Sequence, residues 1–375
     1  MMRGLSFSEY MGILSKKYVF SGPQYVEISP VGYCNFKCVQ CHQRHHLKNE
    51  NNAASKKDLP FDRLKSFVKE LAKLGAREIE LCGRGEPTLY PHLLELVKVI
   101  KANGLYCRLM TNASLLTPDL TDKLLAAELD NLTVSMYAGR EETFREITGS
   151  NASFSEIVDN VLNFKRRSQK TSLRIIWYFQ KNNFGDLEEI NKIANLFEEK
   201  DQCFSSIFPY SESKILDYFE NEAERPDVSN PVFSEALAAL QKKNIPIHPA
   251  LPLFTEHDNT LKTYYECPCY AGWWGMFLAE DGTIRPCSNS GLVLGDMNKS
   301  SARDIWFSER YREFRRQALS SMIKTRSPLP GCYCTHCGWT PFNVQVNKLM
   351  RNKGRTLFGF FKKSVKKLLT SSPDK

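Results

Sequence analysis

At 375 residues the chain has room for one large α/β barrel with a smaller module, or for two ordinary domains, and either can bury a proper core. Its formal charge of +9 is concentrated at the C-terminus, where Lys348 to Lys375 hold nine Lys/Arg against Asp374 alone, so the body is nearly neutral and argues for no nucleic-acid partner. The twelve cysteines suit a disulfide framework only in a secreted protein, but Met1 to Phe20 mixes Arg3, Glu9, Lys16 and Lys17 with short apolar pieces, and no apolar run reaches spanning length; the expectation is a cytoplasmic protein.

In chain order, Gln24 to Ser29 alternates apolar and polar residues and is stopped by Pro30 and Gly32, which predicts a strand. It delivers Cys34-x3-Cys38-x2-Cys41. Iron-sulfur clusters are held by cysteine thiolates, and three thiolates on a four-iron cube leave one iron open, the mark of a reactive site. Two other readings stand beside this one. With His42, His45 and His46 the cysteines can make a Cys3His zinc site, and their i, i+4, i+7 spacing also suits a buried helix face.

Beyond a polar stretch, Phe61 to Leu74 carries apolar residues at helical spacing and Gly75 ends it. The pattern continues with strand Glu78 to Leu81, helix Leu93 to Ala102, strand Tyr106 to Met110, helix Asp119 to Ala127 and strand Leu132 to Met136. Helix Ser155 to Arg167, strand Leu173 to Phe179, helix Leu187 to Glu198 and strand Ser206 to Phe208 follow. Six strands alternating with helices predict a parallel sheet closed, or nearly closed, as a barrel, with its chemistry at the C-terminal strand ends. Cys82-Gly83-Arg84-Gly85-Glu86-Pro87, Thr111-Asn112 and Val134-Ser135-Met136-Tyr137 all fall there. Read alone, each is also an ordinary turn or cap. Cys82, Cys107 and Cys203 sit on strands or at their ends and read as small core residues.

The first cysteine run resembles the signature of the radical S-adenosylmethionine (radical SAM) superfamily. That resemblance implies a catalytic 4Fe-4S cluster on Cys34, Cys38 and Cys41, whose open iron is chelated by S-adenosylmethionine; one electron then cleaves the cofactor to a 5′-deoxyadenosyl radical. It also implies a one-electron donor such as flavodoxin or ferredoxin. Gln40 stands where the family has an aromatic residue near the adenine. Gly83 to Pro87 resembles the Gly-Gly-Glu-Pro motif that holds the cofactor amine, with Arg84 in place of a glycine. Thr111-Asn112 resembles Thr-Asn-Gly with Ala113 for the glycine, and Ser135 matches a cofactor-contacting serine, while Tyr137 replaces an aspartate. The implied cofactor-binding set is Gly85, Glu86, Asn112 and Ser135.

From Cys267 the composition changes. Cys269-x12-Gly282-x4-Cys287 followed by Cys334-x2-Cys337 resembles the SPASM/twitch extension of the same superfamily, and implies a second, auxiliary 4Fe-4S cluster on Cys269, Cys287, Cys334 and Cys337. Cys267 and Cys332 are left over, and a zinc ribbon is the alternative for Cys334-x2-Cys337. Trp273 and Trp274 read as packing beneath this module. In the tail, Leu357, Phe360, Phe361, Val365 and Leu368 can share a helix face opposite Lys362, Lys363, Lys366 and Lys367. Such a basic amphipathic helix lies on an anionic membrane surface or docks on a partner; the plain alternative is a frayed terminus.

The sequence thus predicts an α/β protein, a partial (β/α)6 TIM-type barrel with a small C-terminal iron-sulfur module. The divisions are an N-terminal extension (1–22), the radical SAM core (23–210), a variable connection (211–260), the auxiliary-cluster domain (261–345) and the basic tail (346–375). Only 33 residues precede Cys34, too few for a peptide-recognition domain. The expected substrate is therefore a small molecule or saccharide, lipid-linked if the tail meets the inner face of the membrane. Peptide or protein modification is the alternative, and a non-catalytic zinc scaffold is the alternative of another class.

Overall fold

The structure is a computed structural model that describes residues 6–39, 41, 57–179, 181–206, 238, 242, 267–325, 329, 331–332, 339 and 342–351. Strands β1 (Tyr25–Ile28), β2 (Glu78–Leu81), β3 (Tyr106–Thr111), β4 (Asn131–Met136), β5 (Ser172–Phe179) and β6 (Gln202–Ser206) run parallel in that spatial order. Outside β1 lies β7 (Gly275–Leu278), also parallel, then β8 (Thr283–Arg285) and β9 (Gly295–Asp296), antiparallel. The nine-stranded sheet has β6 and β9 as its two edges, so the barrel is not closed.

Helices α1 (Phe7–Leu14), α2 (Phe61–Lys73), α3 (Leu93–Ala102), α4 (Pro118–Ala126), α5 (Glu141–Thr148), α6 (Phe154–Arg167) and α7 (Leu187–Ala194) belong to the barrel half. The second module holds α8 (Ala271–Trp274), α9 (Ala302–Trp306) and α10 (Glu309–Thr325). Amphipathic spacing explains the crossover helices: α2 buries Leu64, Phe67, Val68 and Leu71, one stripe of a 3.6-residue repeat. The left-handed Gly75, at φ 92°, then turns the chain into β2.

Strand alternation divides the sheet into an apolar and a polar face. Val26 and Ile28, Ile79 and Leu81, Leu132 and Val134 are fully buried with the helices in one core. Tyr25, Glu27, Glu80, Arg108, Thr133 and Arg174 occupy the other parity of the same strands, which is the concave face. The barrel interior is therefore polar below the strand ends.

The second module is fixed to the barrel by more than β7. Arg63 of α2 donates through Nε to the Met297 carbonyl at 2.6 Å and through Nη2 to the Ser300 carbonyl at 2.9 Å. The Trp306 indole donates to the Ser21 carbonyl at 2.8 Å. The indole of Trp273, buried as expected, donates to the Tyr18 carbonyl at 3.0 Å, and Trp274 packs on Phe342.

Two sequence expectations shift. The last barrel strand runs over Gln202–Ser206, earlier than the expected 206–208, of which 207 and 208 lie outside the described residues, and the helix before it ends at Ala194. In the second module β7 and β8 form a hairpin around Asp281-Gly282, and its first strand joins the barrel sheet beside β1.

Candidate active site

The cysteine loop leaves β1 at Ile28 and is held to the loop after β2 through backbone. Cys82 donates to the Ile28 carbonyl, the Arg84 amide to Ser29 Oγ at 2.9 Å, and the Glu86 amide to the Tyr33 carbonyl at 3.0 Å. Two glycines make this approach possible. A Cβ on Gly85 would lie 2.3 Å from the Tyr33 oxygen and 2.6 Å from that of Val31, and Gly83, at φ 119°, would place one 2.4 Å from Ser29 Cβ. Both glycines thus serve the contact between the two loops.

The second half of the loop is pinned to the end of α5. Lys37 and Val39 donate to the carbonyls of Thr148 and Ile147 at 2.7 and 2.9 Å, and Phe36 packs edge-on against Phe144. Cys34, Cys38 and Cys41 lie on this loop in no disulfide, and the Cys41 amide donates to the Cys38 carbonyl at 3.2 Å. Cys34 is at the loop surface, yet its sulfur lies among protein atoms. Their burial of it pushes the thiol up to about 12, opposed by the Phe36 amide and reinforced by Glu86 and Cys41. Such a thiol needs a cationic partner to ionise, which iron supplies.

Among the described residues no three His, Cys, Asp or Glu side chains gather for a single metal ion. Cluster thiolates bind separate irons, and the three thiols of one anchored loop fit that donor chemistry. Gln40, His42, His45 and His46 lie outside the described residues.

Glu86 is buried at the centre of the strand ends. Its Oε1 accepts from the Thr88 amide (3.1 Å) and from the hydroxyls of Thr88 and Thr111 (2.6 Å each), and its Oε2 accepts from the Asn112 amide at 2.9 Å. Burial nevertheless raises its pKa, opposed by these donors. With Oε1 occupied, Oε2 keeps the capacity for a further donor. Asn112 reaches back to the cysteine loop, donating from Nδ2 to Asn35 Oδ1 at 2.9 Å, while its Oδ1 accepts from the Ser114 amide and hydroxyl. Ala113 adopts φ 60°, the left-handed conformation for which a glycine is better suited.

Ser135 is half-buried at the end of β4, two residues before Tyr137. The Tyr137 ring stacks on Tyr178 with centroids 5.4 Å apart, and Asn183 Nδ2 donates to both tyrosine carbonyls at 2.7 Å. Burial holds the Tyr137 phenol well above its usual value, and Cys38 and Cys41 add to this. Tyr137 therefore stands beside the cysteine loop. Sequence reasoning registered it only as a departure from a motif, and missed Tyr178 and Asn183; the lumen parity of Tyr178 on β5 was the available signal.

In the second module Cys267, Cys269, Cys287 and Cys332 are in no disulfide. The Cys269 amide donates to the Ala318 carbonyl of α10 at 3.3 Å, and the Cys287 carbonyl accepts from Ser290 at 3.2 Å. Ser290 Oγ lies 3.1 Å from the Cys332 sulfur, so Cys332, left over in the sequence reading, sits beside the Cys287 turn. Cys334 and Cys337 lie outside the described residues. Cys82 and Cys107 are buried in the sheet as expected, while the side chain of Cys203 is outside the described set.

With this geometry in hand, comparison with known proteins defines the class. The model of the radical SAM superfamily matches residues 28–194, and that of the SPASM iron-sulfur cluster-binding domain matches residues 267–338. The chain therefore carries a radical SAM domain and a C-terminal SPASM domain; the first implies a 4Fe-4S cluster with S-adenosylmethionine in the barrel, and the second auxiliary iron-sulfur binding. These sites define its cofactors, not its substrate.

Among curated relatives, the AdoMet-dependent heme synthase of Methanosarcina barkeri is 24% identical over 297 residues, covering 73% of this chain and 79% of the relative. The probable GTP 3′,8-cyclase of Saccharolobus solfataricus is 34% identical over 128 residues, 34% of this chain but only 39% of the cyclase. Among solved structures, Streptococcus suis SuiB bound to S-adenosylmethionine aligns with a TM-score of 0.61 at 15% identity, covering 87% of this chain and 76% of SuiB. A structure of anSMEcpe with bound AdoMet gives 0.56 at 19%, covering 80% and 81%. At these identities the structural likeness speaks for the fold.

Proposed function

We propose that the chain is a radical SAM oxidoreductase acting on a small molecule, with Cys34, Cys38 and Cys41 holding the catalytic cluster. The observation that carries this is the anchored three-thiol loop at the C-terminal strand ends, backed by Glu86 and Asn112. When bound, the cluster and S-adenosylmethionine supply a 5′-deoxyadenosyl radical that abstracts a substrate hydrogen. The protein's own part is positional. Glu86 fixes the Asn112 backbone, Asn112 fixes Asn35 beside Cys34, and the Gly83 and Gly85 contacts keep the cysteine loop from moving away from β2. Gly85, Glu86 Oε2 and Ser135 would then face the cofactor, and the polar concave face below them would receive the substrate.

Two curated relatives support the small-molecule reading, since their names record a heme synthase and a GTP cyclase, and the first covers 73% of this chain. Peptide modification is the second reading. SuiB, similar in fold, has a structure bound to its precursor peptide. In the second module, Cys269, Cys287, Cys334 and Cys337 would hold the auxiliary cluster, able to accept an electron in an oxidation or to ligate the substrate.

The test is anaerobic reconstitution followed by iron and sulfide counts and detection of 5′-deoxyadenosine on addition of dithionite and S-adenosylmethionine. About eight irons are expected, four of which are lost together with 5′-deoxyadenosine in the Cys34→Ala, Cys38→Ala, Cys41→Ala variant. Zinc in place of iron, without cleavage, would refute the reading.

A further inference from the structure

Helix α10 turns Tyr311, Arg315 and Ala318 toward the second module at i, i+4, i+7 spacing. Each meets the cysteine region in its own way. The Ala318 carbonyl accepts the Cys269 amide at 3.3 Å. Arg315 donates from Nε to the carbonyl of Gly272, three residues after Cys269, at 2.7 Å, and from Nη2 to the Trp306 carbonyl at 2.8 Å. Its guanidinium lies 4.7 and 4.9 Å from the ring centroids of Trp306 and Tyr311. Burial holds the Tyr311 phenol well above its usual value, with Arg315 opposing this and Cys287 adding to it.

All three large side chains, Trp306, Tyr311 and Arg315, are 0% exposed. Nevertheless two of their polar atoms, Arg315 Nη1 and Tyr311 Oη, have no hydrogen-bond partner among the described residues. No described carboxylate pairs with Arg315 either. Burial lowers its pKa to about 9, which leaves it cationic at neutral pH. A buried guanidinium held only by carbonyls and ring faces is costly, and the cost is offset when an anion is brought beside it.

A thiolate-ligated four-iron cluster is anionic and gains a further negative charge on reduction. We infer that Tyr311 and Arg315 are the charge-compensating pair of the auxiliary cluster, the tyrosine supplying a hydroxyl donor and the arginine a buried positive charge. The inference rests on Cys269 and Cys287 being ligands of that cluster. A cation and a donor at this position favour the reduced form and so raise the reduction potential, which fits an acceptor of electrons from substrate.

The experiment uses the full chain carrying Cys34→Ala, Cys38→Ala and Cys41→Ala, reconstituted so that only the auxiliary cluster remains, with its midpoint followed by EPR during redox titration. Arg315→Met should favour the oxidised form at least about tenfold, roughly 59 mV for a one-electron couple. Tyr311→Phe should shift the midpoint downward by less than Arg315→Met. An unmoved midpoint in Arg315→Met at full iron content overturns the inference. Tyr311→Phe removes one oxygen and no buried carbon, so it remains decisive if Arg315→Met does not fold: an unmoved midpoint there overturns the inference too. Absence of iron from the parent defeats the ligand reading itself, a result distinct from all of these.

Discussion

The guanidinium of Arg84 and the carboxylate of Glu280 meet at 3.5 Å with both side chains almost entirely buried, joining the loop after β2 to the turn after β7. The residue that replaces a motif glycine in the barrel is thereby tied to the second module. Burial raises the Glu280 pKa and Arg84 lowers it, so the carboxylate depends on this partner to remain ionised.

Removing one member of such a pair leaves a buried charge uncompensated, at a cost of about 3–5 kcal/mol, whereas replacing both by apolar residues is often nearly neutral. Arg84→Met should therefore destabilise strongly, and Arg84→Met with Glu280→Leu should recover most of the loss. Urea unfolding of the four proteins of this cycle measures the coupling; simple additivity would show that the two side chains act independently.

At Gly85 the obstruction is backbone oxygen, which cannot move without separating the cysteine loop from β2. Gly85→Ala is expected to cost several kcal/mol and to lower iron incorporation. Gly75→Ala is the control, because a Cβ there meets nothing within 4 Å and only φ 92° is strained, at about 1 kcal/mol. Iron counts and unfolding midpoints on both variants separate the effects. Equal behaviour would mean that the loop contact is not needed for iron binding.

Much of the fold is legible because apolar periodicity is strong in the first half: β2 and α3 have the bounds that their patterns predict. The last barrel strand was misplaced because Gln202-Cys203-Phe204-Ser205-Ser206 has no clean alternation, and Ile207-Phe208 beyond it is the more apolar pair. β7 was unreadable as a barrel neighbour, since four residues specify a hairpin arm without stating what lies on its other side. Side-chain partners were hidden for the same reason. The motif identifies Glu86, but its donors Thr111 and Asn112 arrive from the next strand, and only the parallel register of β2 and β3 brings them together.

Those donors make Glu86 a test of the site's rigidity. Glu86→Gln exchanges one acceptor oxygen for a donating amide, so a hydroxyl or backbone N–H now facing it loses its partner, at about 1–3 kcal/mol. Lower stability should accompany weaker iron retention, because Asn112 no longer fixes Asn35 beside Cys34. Iron content after gel filtration is the measurement, and full retention at reduced stability would separate Glu86 from the cysteine loop.

Glu27 gives the clearest pH signature. Burial, and then the charge of Glu80, raise it from the usual 4.5 to about 7, against hydrogen bonds from Ser288 and Tyr25. Its Oε2 has no partner among the described residues, and Glu80, which accepts from the Tyr25 hydroxyl, is raised in the same direction. Between the unfolded and folded pKa values the folded protein holds more protons, so this stability is fully present below about 4.5 and declines as pH rises through about 7. Glu27→Gln, permanently neutral, should flatten that part of the decline and be more stable than the parent at pH 8, by at most about 3 kcal/mol. Urea midpoints from pH 5 to pH 8 measure this. If the substituted protein keeps the parent's full slope, the charge of Glu27 does not set it and the burden falls on Glu80, where Glu80→Gln must then remove it.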